Sequence, residues 1–243
     1  MMKVLEKIIA KQNDNKNQPG VTVCFLGDSV TQGCFELYNE APQKIQTVFD
    51  KKSAYHKYFA DIFSVLCPSV PINIINSGIS GATAPHSLGM IDELVLKHNP
   101  DLVVVCFGLN DSSYGIDKIS DYTEALSAIF KKIRAIGSEI IFMTPNMVCD
   151  RLSGHLTEDN IISVAKRWVE YGKAGFLDKY IDAARELCKS ENIIVCDCYK
   201  KWKRMSECGL NVTELLSNKI NHPTRDMNWL FAYSLVETIF NAD

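Results

Sequence analysis

The chain has 243 residues, of which 47% are hydrophobic and 23% are charged. This apolar fraction excludes an intrinsically disordered chain, and 13 glycines with 8 prolines are too few for a collagen-like or low-complexity sequence. The formal net charge of −3 supplies no overall attraction to nucleic acid or to an anionic membrane surface, so no partner of either class is expected.

Signals of membrane insertion and of export are also missing from the sequence. No apolar run reaches the roughly 18 residues that span a bilayer. Charges interrupt residues 1–11 every few positions, which favours a short amphipathic helix over a secretory signal. The nine cysteines are an odd number without the spacing of a disulfide framework, as is typical of free thiols. We therefore expect a cytoplasmic protein.

A cluster of cysteines near the C-terminus raises the question of a zinc site. Its members are Cys188, Cys196, Cys198 and Cys208. They lack the closely paired cysteines of structural zinc sites, and Cys196 falls inside a predicted strand. We expect no metal here.

Short strands alternate with longer helices along the predicted chain. A helix and a polar lead-in occupy residues 1–20. Runs rich in β-branched residues then predict strands at 21–26, 72–76, 102–107, 139–144 and 192–197. Helical periodicity predicts helices at 53–66, 85–98, 119–136, 157–189 and 224–240, the fourth divided near Gly172 and Gly175. No linker or repeat divides the chain, so residues 1–243 are expected to form one domain.

The strand pattern indicates a three-layer α/β/α fold. The predicted strands are apolar on both faces, as in the centre of a parallel sheet. Alternating strands and helices imply right-handed crossovers that place helices on both faces of one sheet. Ligands of such sheets bind beyond the carboxyl ends of the strands, so functional residues are expected directly after each strand.

Polar or glycine-rich blocks follow the first three predicted strands, and a fourth block precedes the last helix. These blocks are Gly27-Asp28-Ser29, residues 76–81, Asn110-Asp111 and His222-Pro223. Each alone has an ordinary explanation as a helix cap, a turn or a surface histidine. Because the carboxyl ends of parallel strands share one edge of the sheet, we expect the blocks to converge there.

Together the blocks supply the parts of an acyl-transfer site. The Ser29 hydroxyl is the predicted nucleophile, and His222 is the base that activates it. The Ser29 amide, the Gly78 amide and the side-chain NH2 of Asn110 are the predicted donors to an oxyanion. Glycine at position 78 lets the backbone approach a substrate without a Cβ in the way.

This ordered set of blocks resembles the SGNH/GDSL hydrolases, a family named after the Ser, Gly, Asn and His of four separated blocks. All four occur here in order, from the first strand to the last helix. The resemblance implies a flavodoxin-like sheet of five parallel strands in the order 2-1-3-4-5. It also implies esterase or lipase chemistry without a metal or an organic cofactor.

The chain departs from the family pattern in its fourth block, which usually reads Asp-x-x-His. Lys219 stands three residues before His222, so the usual acid is missing. Either Asn218 or a backbone carbonyl could orient the imidazole instead, and the sequence does not choose between them. Asp28 and Asp111 are expected to brace their loops through backbone N–H groups rather than to react.

These observations predict a serine esterase for a small-molecule ester, with a small acyl group such as acetyl on a carbohydrate. One alternative is a lysophospholipase or thioesterase that uses the same residues on longer acyl chains. Another is a non-catalytic carbohydrate-binding descendant, which the lysine at position 219 keeps open. Residues 34–52 form either a wall of the substrate pocket or a surface excursion. The sequence predicts no oligomeric state.

Overall fold

A parallel sheet lies at the centre of the computed structural model, which describes residues 1–41 and 44–242. Its strands are β1 (Val21–Gly27), β4 (Ile72–Gly78), β5 (Leu102–Cys106), β6 (Glu139–Met143) and β7 (Ile194–Cys196). The strands lie in the order β4-β1-β5-β6-β7, and each neighbouring pair is parallel. Numbered among the five predicted strands, this order is 2-1-3-4-5. The predicted fold class and strand order are therefore confirmed.

Helices cover both faces of this sheet. They are α1 (Lys3–Asn13), α2 (Ser29–Gln32), α3 (Tyr55–Leu66), α4 (Ala84–Leu88), α5 (Ile91–Leu94), α6 (Ile119–Ala135), α7 (Asp159–Lys173), α8 (Phe176–Ser190), α9 (Cys198–Glu207) and α10 (Asn228–Asn241). Val103 and Val105 of β5 pack in the core beneath α6, whereas Leu102 and Val104 pack in the opposite core with α3 and α10. Alternation of side chains along the strand thus explains why β5 is apolar throughout. Within residues 1–41 and 44–242, no helix is both long and apolar enough to cross a membrane.

The structure divides two of the predicted helices. Residues 85–98 form α4, α5 and a 3-10 turn, because the chain leaves helical geometry at Met90 (φ −116°, ψ 9°), directly after Gly89. Glycine lowers helix stability through its backbone freedom, and Gly89 lies at the break between α4 and α5. The predicted division of residues 157–189 occurs at Gly175, which has a left-handed φ of 68° between α7 and α8.

An antiparallel hairpin follows α2, where the sequence predicted no strands. It consists of β2 (Cys34–Ala41) and β3 (Lys44–Phe49). Cys34 pairs with Phe49 and Leu37 with Thr47, so β2 holds one more residue than β3 between these two pairs. Such a β-bulge turns backbone groups out of the regular ladder. Residues 34–41 and 44–49 therefore form paired strands, and the first of them begins five residues after Ser29.

Candidate active site

Ser29 lies at the carboxyl end of β1, where the strand turns into α2. Asp28 caps this helix, since its Oδ1 accepts a hydrogen bond from the Val30 amide at 2.9 Å. Gly33 ends the helix in a left-handed conformation with φ 93°. The short helix therefore holds Ser29 at the edge of the sheet where ligands of such folds bind.

His222 lies against Ser29 although 193 residues separate them. The distance from His222 Nε2 to Ser29 Oγ is 2.9 Å, and only 3% of Ser29 and 5% of His222 are exposed. On the other side of the ring, Nδ1 lies 2.8 Å from the backbone carbonyl oxygen of Phe35. A carbonyl can only accept a hydrogen bond, so Nδ1 carries the proton and Nε2 is left to accept from the Ser29 hydroxyl.

The orienting group of His222 is thus a backbone carbonyl, one of the two alternatives that the sequence left open. Asn218 does not bind the ring. Its Oδ1 accepts from the amides of Ile220, Asn221 and His222 at 2.9–3.0 Å, and it therefore shapes the loop that carries the imidazole. Lys219 has a left-handed φ of 58°, and its Nζ binds the carboxylate of Glu214 at 2.9 Å.

Burial controls the charge of His222. It lowers the pKa of the imidazole from 6.5 to about 4, while the Phe35 carbonyl and the negative charge of Glu36 act in the opposite direction. The ring is therefore neutral at pH 7. A neutral Nε2 that accepts a hydrogen bond from a serine hydroxyl is the arrangement that a general base requires.

Asn110 connects the loops that follow three strands. Its Nδ2 donates to the Ala82 carbonyl at 3.0 Å and lies 3.5 Å from Oδ2 of Asp28. Asp111 accepts from the Ala84 amide at 2.9 Å and from the Gly108 amide at 3.0 Å. Burial raises the pKa of Asp111 to about 6. Burial, together with the charge of Asp111, raises the pKa of Asp28 to about 7.

The structure corrects the prediction for Gly78. Its N–H donates to Oδ1 of Asn76 at 3.0 Å and is therefore occupied. A Cβ at this position would lie 2.3 Å from the Gln32 nitrogen and 2.7 Å from the Thr31 carbonyl carbon. Glycine is required here because α2, the helix of Ser29, packs directly on the backbone of β4.

Gly81 is the glycine of this block that has the properties of an anion donor. It is exposed and has a left-handed φ of 78°, and a Cβ added here would meet no atom within 4 Å. The neighbouring amides are used, since Ser80 donates to Gln32 Oε1 and Ala82 donates to the Ile79 carbonyl. Among the described residues, the Gly81 amide has no acceptor. The sequence did not separate the two glycines, because both lie beyond the predicted strand 72–76, and only the structure extends β4 to Gly78.

Comparison with known proteins agrees with this geometry. Residues 25–230 match the GDSL-like lipase/acylhydrolase family. This chain belongs to that family. The match confirms the resemblance seen in the sequence blocks and includes the segments that carry Ser29, Asn110 and His222.

Two esterases are similar to parts of this GDSL-family chain. An acetylxylan esterase from Geobacillus stearothermophilus is 25% identical over 135 residues, which are 52% of this chain and 60% of the relative. An arylesterase from Vibrio mimicus is 27% identical over 117 residues, which are 45% of this chain and 58% of the relative. The aligned segments thus span about 60% of the length of each relative.

Solved structures share the fold over nearly the whole chain. A catalytic mutant of the Geobacillus stearothermophilus acetylxylan esterase superposes with a TM-score of 0.68 over 91% of this chain and 94% of the other, at 18% identity. The acetyl xylan esterase AlAXEase gives a TM-score of 0.65 over 90% of this chain and 100% of the other, also at 18% identity. At this identity the likeness establishes the fold.

Proposed function

We propose that this chain is a serine esterase that hydrolyses carboxylic esters through Ser29 and His222. The observation that carries the proposal is the line of contacts from Ser29 Oγ to His222 Nε2 at 2.9 Å and from His222 Nδ1 to the Phe35 carbonyl at 2.8 Å. A hydroxyl, a base and a group that orients the base are the parts that a covalent acyl-transfer mechanism needs.

In the first half of the proposed reaction, His222 Nε2 takes the proton of Ser29 as the serine oxygen attacks the ester carbonyl. The amides of Ser29 and Gly81 and the side-chain NH2 of Asn110 donate to the oxyanion that forms. When this intermediate collapses, the bond to the alcohol breaks and His222 returns its proton to the leaving oxygen. The acyl group stays on Ser29.

In the second half, water replaces the alcohol. It gives a proton to His222 Nε2 and attacks the acyl carbon, and the second intermediate collapses to release the carboxylic acid. His222 then returns the proton to Ser29. The Phe35 carbonyl accepts from the Nδ1 proton throughout, both when the ring is neutral and when it is an imidazolium. Because a carbonyl has no full charge, it stabilises the imidazolium less than a carboxylate would.

We further propose that the substrate carries a small acyl group, such as acetyl, on a carbohydrate. Ser29 and His222 are only 3% and 5% exposed, and a small acyl group is the easiest to place beside a nucleophile that is so well covered. A cavity of about 750 Å³ lies between β7, α9 and α10. No predicted site residue lines it, so this cavity is not the place where the acyl group of a substrate attacked by Ser29 would bind. The acetylxylan esterase similarity supports the same substrate class.

The test is hydrolysis of p-nitrophenyl acetate, butyrate and octanoate, and of acetylated xylo-oligosaccharides, by the wild type and by Ser29→Ala. We expect activity that falls with chain length and decreases by at least about 10³-fold in the variant. Ser64→Ala is the matched control, because Ser64 is exposed on α3 and its hydroxyl donates to the Asp61 carbonyl of the same helix. Equal rates for the wild type and Ser29→Ala would reject the esterase, and preference for octanoate would reject the small acyl group.

We also propose that the protein works in the cytoplasm. All nine cysteines are free, and eight of them are buried. Cys196 and Cys198 place their sulfur atoms 3.8 Å apart without a bond, which is compatible with a reducing compartment. Fractionation of the native cells with an antibody tests this, and recovery in the external medium would contradict it.

A further inference from the structure

The group that orients His222 lies on a different chain segment from the histidine. An acid three residues before the histidine would share its loop, and local backbone geometry would set the distance between them. The Phe35 carbonyl instead lies 187 residues away, in the hairpin. Its distance to Nδ1 therefore depends on how firmly the hairpin is held against the loop that carries His222.

The bulge in β2 makes this carbonyl available. Phe35 and Glu36 lie between the pairs Cys34–Phe49 and Leu37–Thr47, where the ladder is irregular. A bulge leaves backbone groups out of the regular strand pairing, and bulges occur often beside active sites. The geometry thus provides an acceptor for the imidazole, but a bulge alone does not fix its position.

Arg225 joins the two segments. It lies three residues after His222, and its Nη1 and Nη2 bind the two carboxylate oxygens of Glu36 at 2.5 and 3.1 Å. Its Nε binds Oδ2 of Asp50, the residue that follows β3, at 2.9 Å. The guanidinium also lies over the Phe35 ring, 4.4 Å from the ring centroid. Arg225 therefore contacts Phe35, the residue after it in β2, and the residue that follows β3 at the base of the hairpin.

We propose that Arg225, with Glu36 and Asp50, forms a clamp that positions the Phe35 carbonyl on His222 and so replaces the loop-borne acid. The inference rests on the proposed function, in which His222 is the base. Arg225 is a positioning residue, because its side-chain hydrogen bonds go to Glu36 and Asp50 and it acts on His222 through the Phe35 carbonyl. Its planar fork suits this role, since it can bind one carboxylate through two nitrogens and a second through the third.

The test compares Arg225→Met with Arg225→Lys, and uses Arg204→Met as the matched control. Arg204 forms an exposed ion pair with Glu207 on α9, so its loss removes a similar contact at another place. For Arg225→Met we expect kcat on p-nitrophenyl acetate to fall about 10- to 100-fold with KM changed less than about twofold, as misplacement of a catalytic group predicts. Arg225→Lys should recover part of kcat, and Arg204→Met should match the wild type.

A direct readout is the Nδ1–H proton of His222 in the NMR spectrum. In the wild type this buried, hydrogen-bonded proton should give a slowly exchanging downfield resonance, which Arg225→Met should weaken or abolish while Arg204→Met retains it. Unchanged kcat together with an unchanged resonance in folded Arg225→Met would overturn the proposal. A lower melting temperature of Arg225→Met with an unchanged kcat and an unchanged resonance would also overturn the proposal, because the contacts of Arg225 would then contribute to stability alone.

The NMR experiment also separates this inference from the proposed function. If the wild type hydrolyses no ester, the esterase proposal fails, yet the resonance still reports whether Arg225 holds the carbonyl on the ring. If Arg225→Met does not fold, Glu36→Gln serves in its place. Glutamine keeps an acceptor oxygen for one of the two Arg225 contacts, so we expect kcat to fall about fivefold. An unchanged kcat in Glu36→Gln would contradict the clamp.

Discussion

At the scale of single residues, His222 is defined by what lies on each side of its ring. The Phe35 carbonyl fixes the proton on Nδ1, and burial keeps the ring neutral far below the pH at which an ordinary histidine becomes charged. The nearby carboxyls behave in the opposite way, because burial raises the pKa of Asp28 to about 7. Both shifts have one cause, since a low dielectric disfavours the charged form of any group.

The low pKa of His222 predicts an unusual pH profile. Activity requires the neutral ring, and a pKa of about 4 leaves it about 90% neutral at pH 5, where an unshifted histidine would be almost fully protonated. We therefore expect kcat/KM for p-nitrophenyl acetate to hold down to about pH 5 and to fall near pH 4. A fall near pH 6.5 would contradict this. Because burial raises the pKa of Asp28 to about 7, the pH dependence of kcat/KM is also measured for Asp28→Asn. A change near pH 7 that disappears in this variant is due to the titration of Asp28.

The two glycines after β4 predict different responses to alanine. In Gly78→Ala the Cβ would lie 2.3 Å from the Gln32 nitrogen, and backbone cannot move aside cheaply, so we expect a loss of about 2–3 kcal/mol and reduced activity. In Gly81→Ala the space is open and only the left-handed φ of 78° is unfavourable, which costs about 1 kcal/mol. Urea unfolding measures the free energy of unfolding of both variants. A larger loss of stability in Gly81→Ala than in Gly78→Ala would contradict the conclusion that Gly78 is the glycine required for packing.

At the scale of elements, the site depends on loops and on the hairpin more than on the helices. The loop before α10 is tied by Asn218, which satisfies three successive amides with one oxygen. The hairpin, in turn, is held by Arg225 at its base and by Asn39, which binds Glu158 and Asn160 near the start of α7. These contacts join segments that are far apart in the sequence, so periodicity does not reveal them.

Replacement of Asn218 tests the loop. Asn218→Ala leaves three amides without their acceptor, and we expect a loss of about 2–3 kcal/mol together with a lower kcat, because the His222 amide is one of the three. Asn218→Asp keeps the acceptor oxygen and should lose less on both measures. Asn73 is exposed on β4, and its side-chain nitrogen lies 3.4 Å from Thr22 Oγ1, so it provides the control variant Asn73→Ala. Equal stability of the two alanine variants would show that the loop does not need Asn218.

At the scale of the whole molecule, α1 packs with the same core as the sheet. Val4, Leu5 and Ile8 are buried in the core shared with β1. The carboxylate of Glu139, the first residue of β6, accepts from the Lys3 and Val4 amides at 2.8 and 2.7 Å. These contacts support the prediction that the lead-in and the remainder of the chain form one domain.

This prediction is tested by unfolding. We expect one transition, with the same midpoint by far-ultraviolet circular dichroism and by tryptophan fluorescence. Glu139→Ala removes the acceptor of two helix amides and should lower the midpoint by about 2–4 °C, equivalent to about 1 kcal/mol. Glu93→Ala, which removes an exposed ion pair with Lys97, should change it less. Two separate transitions would reject the single domain.

The apolar runs of the sequence predicted the parallel strands and the edge at which Ser29, Asn110 and His222 meet, because such runs specify buried parallel strands whose ends necessarily share one edge. The strand order came instead from the resemblance of the four blocks to the SGNH/GDSL hydrolases. Two features became visible only in the tertiary structure: a carbonyl of the hairpin orients His222, and among the described residues the Gly81 amide has no acceptor whereas the Gly78 amide donates to Asn76. Both are backbone groups, which every residue carries, so their roles depend on a bulge and on helix packing and leave no side-chain signature in the sequence.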